Sequence, residues 1–173
     1  MHLVRRFFGA LSPAPPRPAD VAWVAGVLNE CELAAWRHLP AHDRRHSVRV
    51  GRAVEAALAG TAHAGDPCFV EAALLHDVGK LDSGLGVLGR VAATVAGAVA
   101  GWDRAEPWSR GRGITRRFGL YLRHPDLGAV RIRECGGSAE AAAWAACHQD
   151  PARHCEAGLP APVVDALAAA DDD

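Results

Sequence analysis

The segment Leu74-Leu75-His76-Asp77-Val78-Gly79-Lys80 puts an imidazole and a carboxylate at the end of an apolar helical face made by Phe69, Val70, Ala73 and Leu74. An ionised aspartate in that position is expensive unless it is paired or coordinates a metal. Adjacent His and Asp in the last turn of a helix can aim at one ion. Lys80 is the single lysine in a chain with 19 basic residues, the rest being arginine. In a composition so biased toward Arg, a compact ammonium on a slim stem points to a chemical role for Lys80.

Other chemistry-bearing residues fall on inward-facing patterns. His46 shares a helical face with Val50, Ala53 and Ala57, and His148 with Ala141, Trp144 and Ala145. Asp171 follows Val164, Leu167 and Ala168 on a third apolar stripe. His124 precedes Pro125, a residue favoured at the first helical position, which places the imidazole at a helix mouth. Gly128, one turn on, permits close approach of another helix. A lone histidine on such a face is more often a hydrogen-bonded core residue than a ligand. Four histidines and two aspartates in this arrangement favour metal ligation.

In order, His46-Ser47-Val48-Arg49-Val50, LLHDVGK, HPDLGA, His148 and the terminal AAADDD resemble the HD superfamily of metal-dependent phosphohydrolases, over residues 40 to 173. The resemblance implies that His46, His76, Asp77 and Asp171 hold a first divalent ion. It implies that His124 and His148 hold a second, with Asp77 bridging, and that Lys80 contacts a substrate phosphate. Asp77 and Lys80 are then the catalytic residues, and the substrate is a small phosphorylated molecule such as a nucleotide. Asp172 is an alternative ligand to Asp171, and Asp165 a poorer one. Imidazole and carboxylate donors suit Mn, Fe, Zn, Co or Ni, with Mg as a further candidate. The Ala146-Cys147-His148-Gln149-Asp150-Pro151 stretch lacks the paired histidine and GYP segment of the HD-GYP cyclic-dinucleotide branch. Two other readings share these ligands: a di-iron oxygenase of the superfamily, and a non-catalytic module that binds metal or nucleotide.

The elements that must position this set read as all-α. After a Pro-rich N-terminal arm over 1–19, a single helical HD domain spans 20–173. Asp20 can cap a first helix, and Asn29 with Glu32 forms a capping-box pattern for the second. Long helices are predicted from Pro40 to Ala59 and from Asp66 to Val78. The apolar stretch 85–101 is interrupted by Arg90, too short to span a bilayer, and reads as a buried helix with small residues for close packing. A membrane-surface helix is the minor reading, since Trp102 and Trp108 follow it. Beyond a Gly- and Arg-rich connector over 103–114, helices are predicted at Thr115–Arg123, Pro125–Glu134, Ser138–His148 and Ala161–Ala170.

The formal net charge of −1 gives no electrostatic reason to expect nucleic acid or an anionic membrane as partner. Five cysteines without CxxC spacing suggest reduced thiols in a cytoplasmic protein. The N-terminus has too little uninterrupted apolar sequence for a secretory signal. Arg110, Arg112, Arg116, Arg117 and Arg123 read equally well as a phosphate-holding cluster or as a solvated surface. Of Arg44 and Arg45, which precede His46, at least one reads as surface. His2, His38, His42, His63 and His154 read as surface or capping residues.

Overall fold

A computed structural model describes residues 14–172. Among them there are ten α-helices, three short 3₁₀ segments and no strand, in agreement with the all-α expectation. The helices are α1 Pro18–Val27, α2 Glu30–His38, α3 Ala41–Leu58, α4 Pro67–Leu75 and α5 Val87–Ala100. They continue with α6 Ala105–Ser109, α7 Gly113–Leu122, α8 His124–Glu134, α9 Ala139–Cys147 and α10 Ala161–Asp172. The 3₁₀ segment Val78–Ser83 follows α4 directly.

The core lies where α4 meets α3 and α9, with α8 and α10 closing its sides. Trp36, Leu74, Leu75, Ile132, Trp144 and Leu167 are its largest fully buried apolar side chains. Truncating Leu74 or Leu167 to Ala costs about 2–5 kcal/mol, as such cavities do. The Trp36 indole donates to Ser47 Oγ at 2.8 Å, and Ser47 Oγ donates to the Arg44 carbonyl at 3.0 Å. That pair fixes α2 against the turn of α3 that carries His46. The Asn29–Glu32 capping box forms as its sequence indicates.

Several local expectations change. α1 begins at Pro18, so Asp20 lies in its first turn and takes an ion pair from Arg17 instead of capping. The buried face of α3 runs through Asp43, Ser47, Val50, Val54 and Leu58, which leaves His46 at its edge and Ala57 exposed. The buried face of α10 is Val163, Leu167 and Ala170, with Val164 and Ala168 half-buried. α4 ends at Leu75, three residues before the predicted end, because the His76 ring takes the Ala73 carbonyl that Asp77 N–H would occupy in a continuing helix.

α5 is not the buried helix its composition suggests. Only Arg90, Ala93 and Gly97 are buried, whereas Leu88, Val91, Val95 and Val99 are largely exposed. Arg90, Ala93 and Gly97 face the body, and the larger apolar side chains face outward. An added Cβ at Gly97 would meet Leu122 and Trp102 at 3.0–3.2 Å, so the side that packs is the one that needs no bulk.

The reduced state of all five cysteines is also corrected. Cys31, in the first turn of α2, is disulfide-bonded to Cys135, just past α8, across a sequence separation of 104. Asn29 Nδ2 donates to the Cys135 carbonyl at 3.1 Å, tying the same two ends together. Cys68, Cys147 and Cys155 are free thiols.

Candidate metal centre

Three helix boundaries deliver three imidazoles that turn the same nitrogen to the backbone. His76 caps α4, His148 caps α9 and His124 opens α8. Each Nδ1 bonds to the carbonyl three residues earlier: His76 to Ala73 at 2.8 Å, His124 to Tyr121 at 2.7 Å, His148 to Ala145 at 2.9 Å. A carbonyl only accepts, so Nδ1 carries the proton in all three rings and Nε2 presents a lone pair when the ring is neutral. At His124 the free carbonyl has a covalent cause: Pro125 has no N–H to give to Tyr121 in the helical pattern. Tyr121 also stacks on the His124 ring, 5.4 Å between centroids.

The three Nε2 atoms converge on Asp77. His76 Nε2 is 3.4 Å from Asp77 Oδ2, and His124 and His148 Nε2 are 3.4 and 3.5 Å from Asp77 Oδ1. These separations are long for hydrogen bonds. They match two ligand atoms that share one ion, which stand about 3.4 Å apart when each is about 2.1 Å from it at a tetrahedral angle. The Nε2 atoms of His76 and His124 are buried and have no hydrogen-bond partner. A buried polar atom without a partner is uncommon, and an ion is one group that would satisfy it. Gly79 makes the approach possible: a Cβ there would lie 2.0 Å from the His124 carbonyl oxygen, so only glycine lets the 3₁₀ segment lie against the start of α8. Gly128 receives it, and a Cβ at Gly128 would be 3.2 Å from Gly79 N.

The remaining pair is arranged otherwise. His46 Nε2 donates to Asp171 Oδ1 at 2.9 Å, while His46 Nδ1 accepts from Arg49 at 2.9 Å. Asp171 Oδ1 is 3.6 Å from His76 Nε2, which joins this pair to the others. Ligand atoms of His46, His76 and Asp171 lie within 4.8 Å of one another, as do those of His76, Asp77 and His148. Five of the six residues named from sequence therefore fall in two sets that could hold a metal ion and share His76, and His124 adjoins them through Asp77 Oδ1. Asp165 and Asp172 are exposed on α10.

The electrostatics of the cluster follow from burial and close pairing. Burial would raise the Asp77 carboxyl, but Lys80 and His76 outweigh it and hold it well below the usual range. Lys80 pairs with Asp77 Oδ2, and this attraction overcomes burial and raises the lysine. Burial lowers His76, yet Asp77 and Asp171 on either side push it up to about 9. His124 falls to about 4 because burial, with Lys80 and His148 nearby, outweighs its contact with Asp77. Burial likewise lowers His46, against the hydrogen bond to Asp171.

One buried network escaped the sequence reading. Arg90 donates twice to Asp43, at 2.8 and 2.7 Å, and His42 Nε2 stands 3.1 Å from Asp43 Oδ1. His42 is thus no surface residue. Burial would raise Asp43, but His42 and Arg90 depress it, and Lys80 adds to the effect, so the network abuts the site. A lone arginine inside an apolar run was the available signal, since a buried guanidinium requires an acid. His154 is not at the surface either: it packs on Trp144 and its Nε2 bonds to the His148 carbonyl at 3.0 Å. His38 bonds to the Ala34 carbonyl, His63 packs edge-on to Phe69, and His2 lies outside the described residues.

The arginine group does not act as one cluster. Arg117 donates to the carbonyls of Ser83 and Gly84, Arg110 to Glu106 and Arg123 to Ser109, whereas Arg112 and Arg116 are exposed. Arg44 lies over the Trp36 ring and Arg45 donates to the Ala14 carbonyl. In comparisons with known protein families, characterised proteins and solved structures, the chain has no match.

Proposed function

We propose that this protein is a metal-dependent phosphohydrolase of the HD type, acting on a small phosphate ester or anhydride such as a nucleotide. The observation that carries the reading is the pair of buried, unpartnered Nε2 atoms of His76 and His124, both facing Asp77. His46, His76, Asp77 and Asp171 would hold one divalent ion and His124 with His148 a second, with Asp77 between them. A bound ion of this kind supplies Lewis acidity toward phosphoryl oxygen and a nucleophile at neutral pH.

The chain's own groups have distinct tasks. Asp77 stays ionised, with Oδ2 facing His76 and Oδ1 facing His124 and His148, so it would be available to both ions. The backbone carbonyls behind His76, His124 and His148 keep the three rings in the tautomer that ligates, a common support for metal-binding histidines. Lys80 is the cation nearest Asp77 and keeps a little solvent exposure, so its ammonium can turn to a phosphate oxygen entering beside His46 and Asp171. An ammonium so placed favours phosphoryl chemistry over oxygen activation, because it stabilises charge spread over phosphate oxygens.

The test is metal analysis of purified protein followed by turnover on a panel of phosphomonoesters and nucleotides, with Asp77→Asn and Lys80→Met variants. Asp77→Asn should lose metal and turnover together, while Lys80→Met keeps metal and loses turnover. Full turnover in Asp77→Asn would overturn the assignment. Oxygen-dependent spectral change without phosphate release would move it to the oxygenase reading.

A further inference from the structure

The large apolar side chains left exposed in the described residues are concentrated in one place. Leu88, Val91, Val95, Val99, Trp102 and Ile114 are 51–84 % exposed, and Val130 is the one such residue elsewhere. Five of them recur at steps of three or four along α5 and its C-terminal end, forming one stripe. From Val91 to Trp102 no side chain is ionisable. Contiguous exposed apolar surface of this kind marks an interaction site.

We propose that α5 docks the protein on an anionic lipid surface. Charge selects this occupant. Residues 103–123 carry six arginines against two acids in a chain whose net charge is −1. Arg104, Arg112 and Arg116 are exposed and form no ion pair among the described residues. Trp102 is exposed at the end of the stripe and Trp108 follows half-buried, the amphipathic ring type that sits at headgroup level. Among the described residues no single helix is long and apolar enough to cross a membrane; α5, with one face packed on the protein and an apolar face outward, has the form of a helix that lies in the interface plane. Arg90 does not oppose this, because it points inward and is held by Asp43. The proposal is independent of the metal chemistry.

The experiment is flotation of the full-length protein with vesicles of phosphatidylcholine alone or mixed three to one with phosphatidylglycerol. Co-flotation is expected with the anionic vesicles, weakening in high salt, and not with the neutral ones. Val95→Glu with Val99→Glu should abolish it. Arg112→Gln with Arg116→Gln should weaken partition roughly thirtyfold, at the usual strength of juxtamembrane charges. Both pairs are exposed, so unchanged thermal unfolding would confirm that the variants fold. Absence of wild-type flotation on anionic vesicles, or flotation insensitive to Val95→Glu with Val99→Glu, would overturn the proposal. So would a dimer in sedimentation velocity that this variant dissociates without any lipid binding, which would assign the stripe to a second copy.

Discussion

The two halves of the candidate centre are built on opposite logic. His76, His124 and His148 are buried at helix boundaries, and each is aimed by its own backbone. His46 and Asp171 come from the edge of α3 and the last turn of α10, keep 20 % and 27 % side-chain exposure, and are satisfied by one another. In the inner half the Nε2 atoms of His76 and His124 have no partner to give up, although His76, pushed up to about 9, must still release a proton. In the outer half an ion must first displace a hydrogen bond and shift the His46 proton from Nε2 to Nδ1, against Arg49. The inner half should therefore set affinity and the outer half the ease of loading.

The largest break in this comparison comes from Asp77→Ala. It removes the shared carboxylate and leaves Lys80 buried without its partner, a loss of about 3–5 kcal/mol for such pairs. Chemical denaturation should show that destabilisation and elemental analysis an absence of bound metal. Next, His124→Ala should halve the metal stoichiometry, whereas Asp171→Asn should retain both ions with affinity weakened by roughly tenfold or more. Equal stoichiometry losses in the two variants would erase the distinction between halves.

A pH series sharpens it further. His76 rises to about 9 in the fold against an unfolded value near 6.5. A raised histidine contributes stability that is fully present below the unfolded value and lost as pH climbs through the folded one. Metal-free protein should thus lose stability between about pH 6.5 and 9, while metal affinity rises over the same window because less proton is displaced. Parallel thermal melts with and without chelator read both slopes. The smallest effect belongs to Arg49→Ala: freeing His46 Nδ1 from its donor should tighten metal binding by about fivefold, the value of one ordinary hydrogen bond. Weaker binding in that variant would mean Arg49 supports the site.

Most of the centre was legible in sequence because ligand type and local spacing survive in one dimension. His148 ends a stripe through Ala141, Trp144 and Ala145, and all three are buried as that pattern requires. What stayed hidden depends on distant partners. The turn at His76 is made by a side chain competing for a backbone carbonyl, which periodicity does not register. Asp43 and Arg90 are 47 residues apart, and Cys31 and Cys135 farther still. α5 misled because a helix of small and apolar residues looks the same whichever side it packs. Gly97 and Ala93, by allowing close contact, turned the bulky side out.

The covalent tie between Cys31 and Cys135 divides the ligands unevenly. His46, His76, Asp77 and His124 lie within the ring it closes, and His148 and Asp171 lie on the tail beyond it. When the oxidised chain melts, four donors remain confined to a closed loop and can still grip an ion. Any grip on the melted chain subtracts from the protection a metal gives the native one. Manganese, which thiolates bind weakly, should therefore raise the melting temperature more in fully reduced protein than in oxidised protein, even though the oxidised form is the more stable of the two without metal.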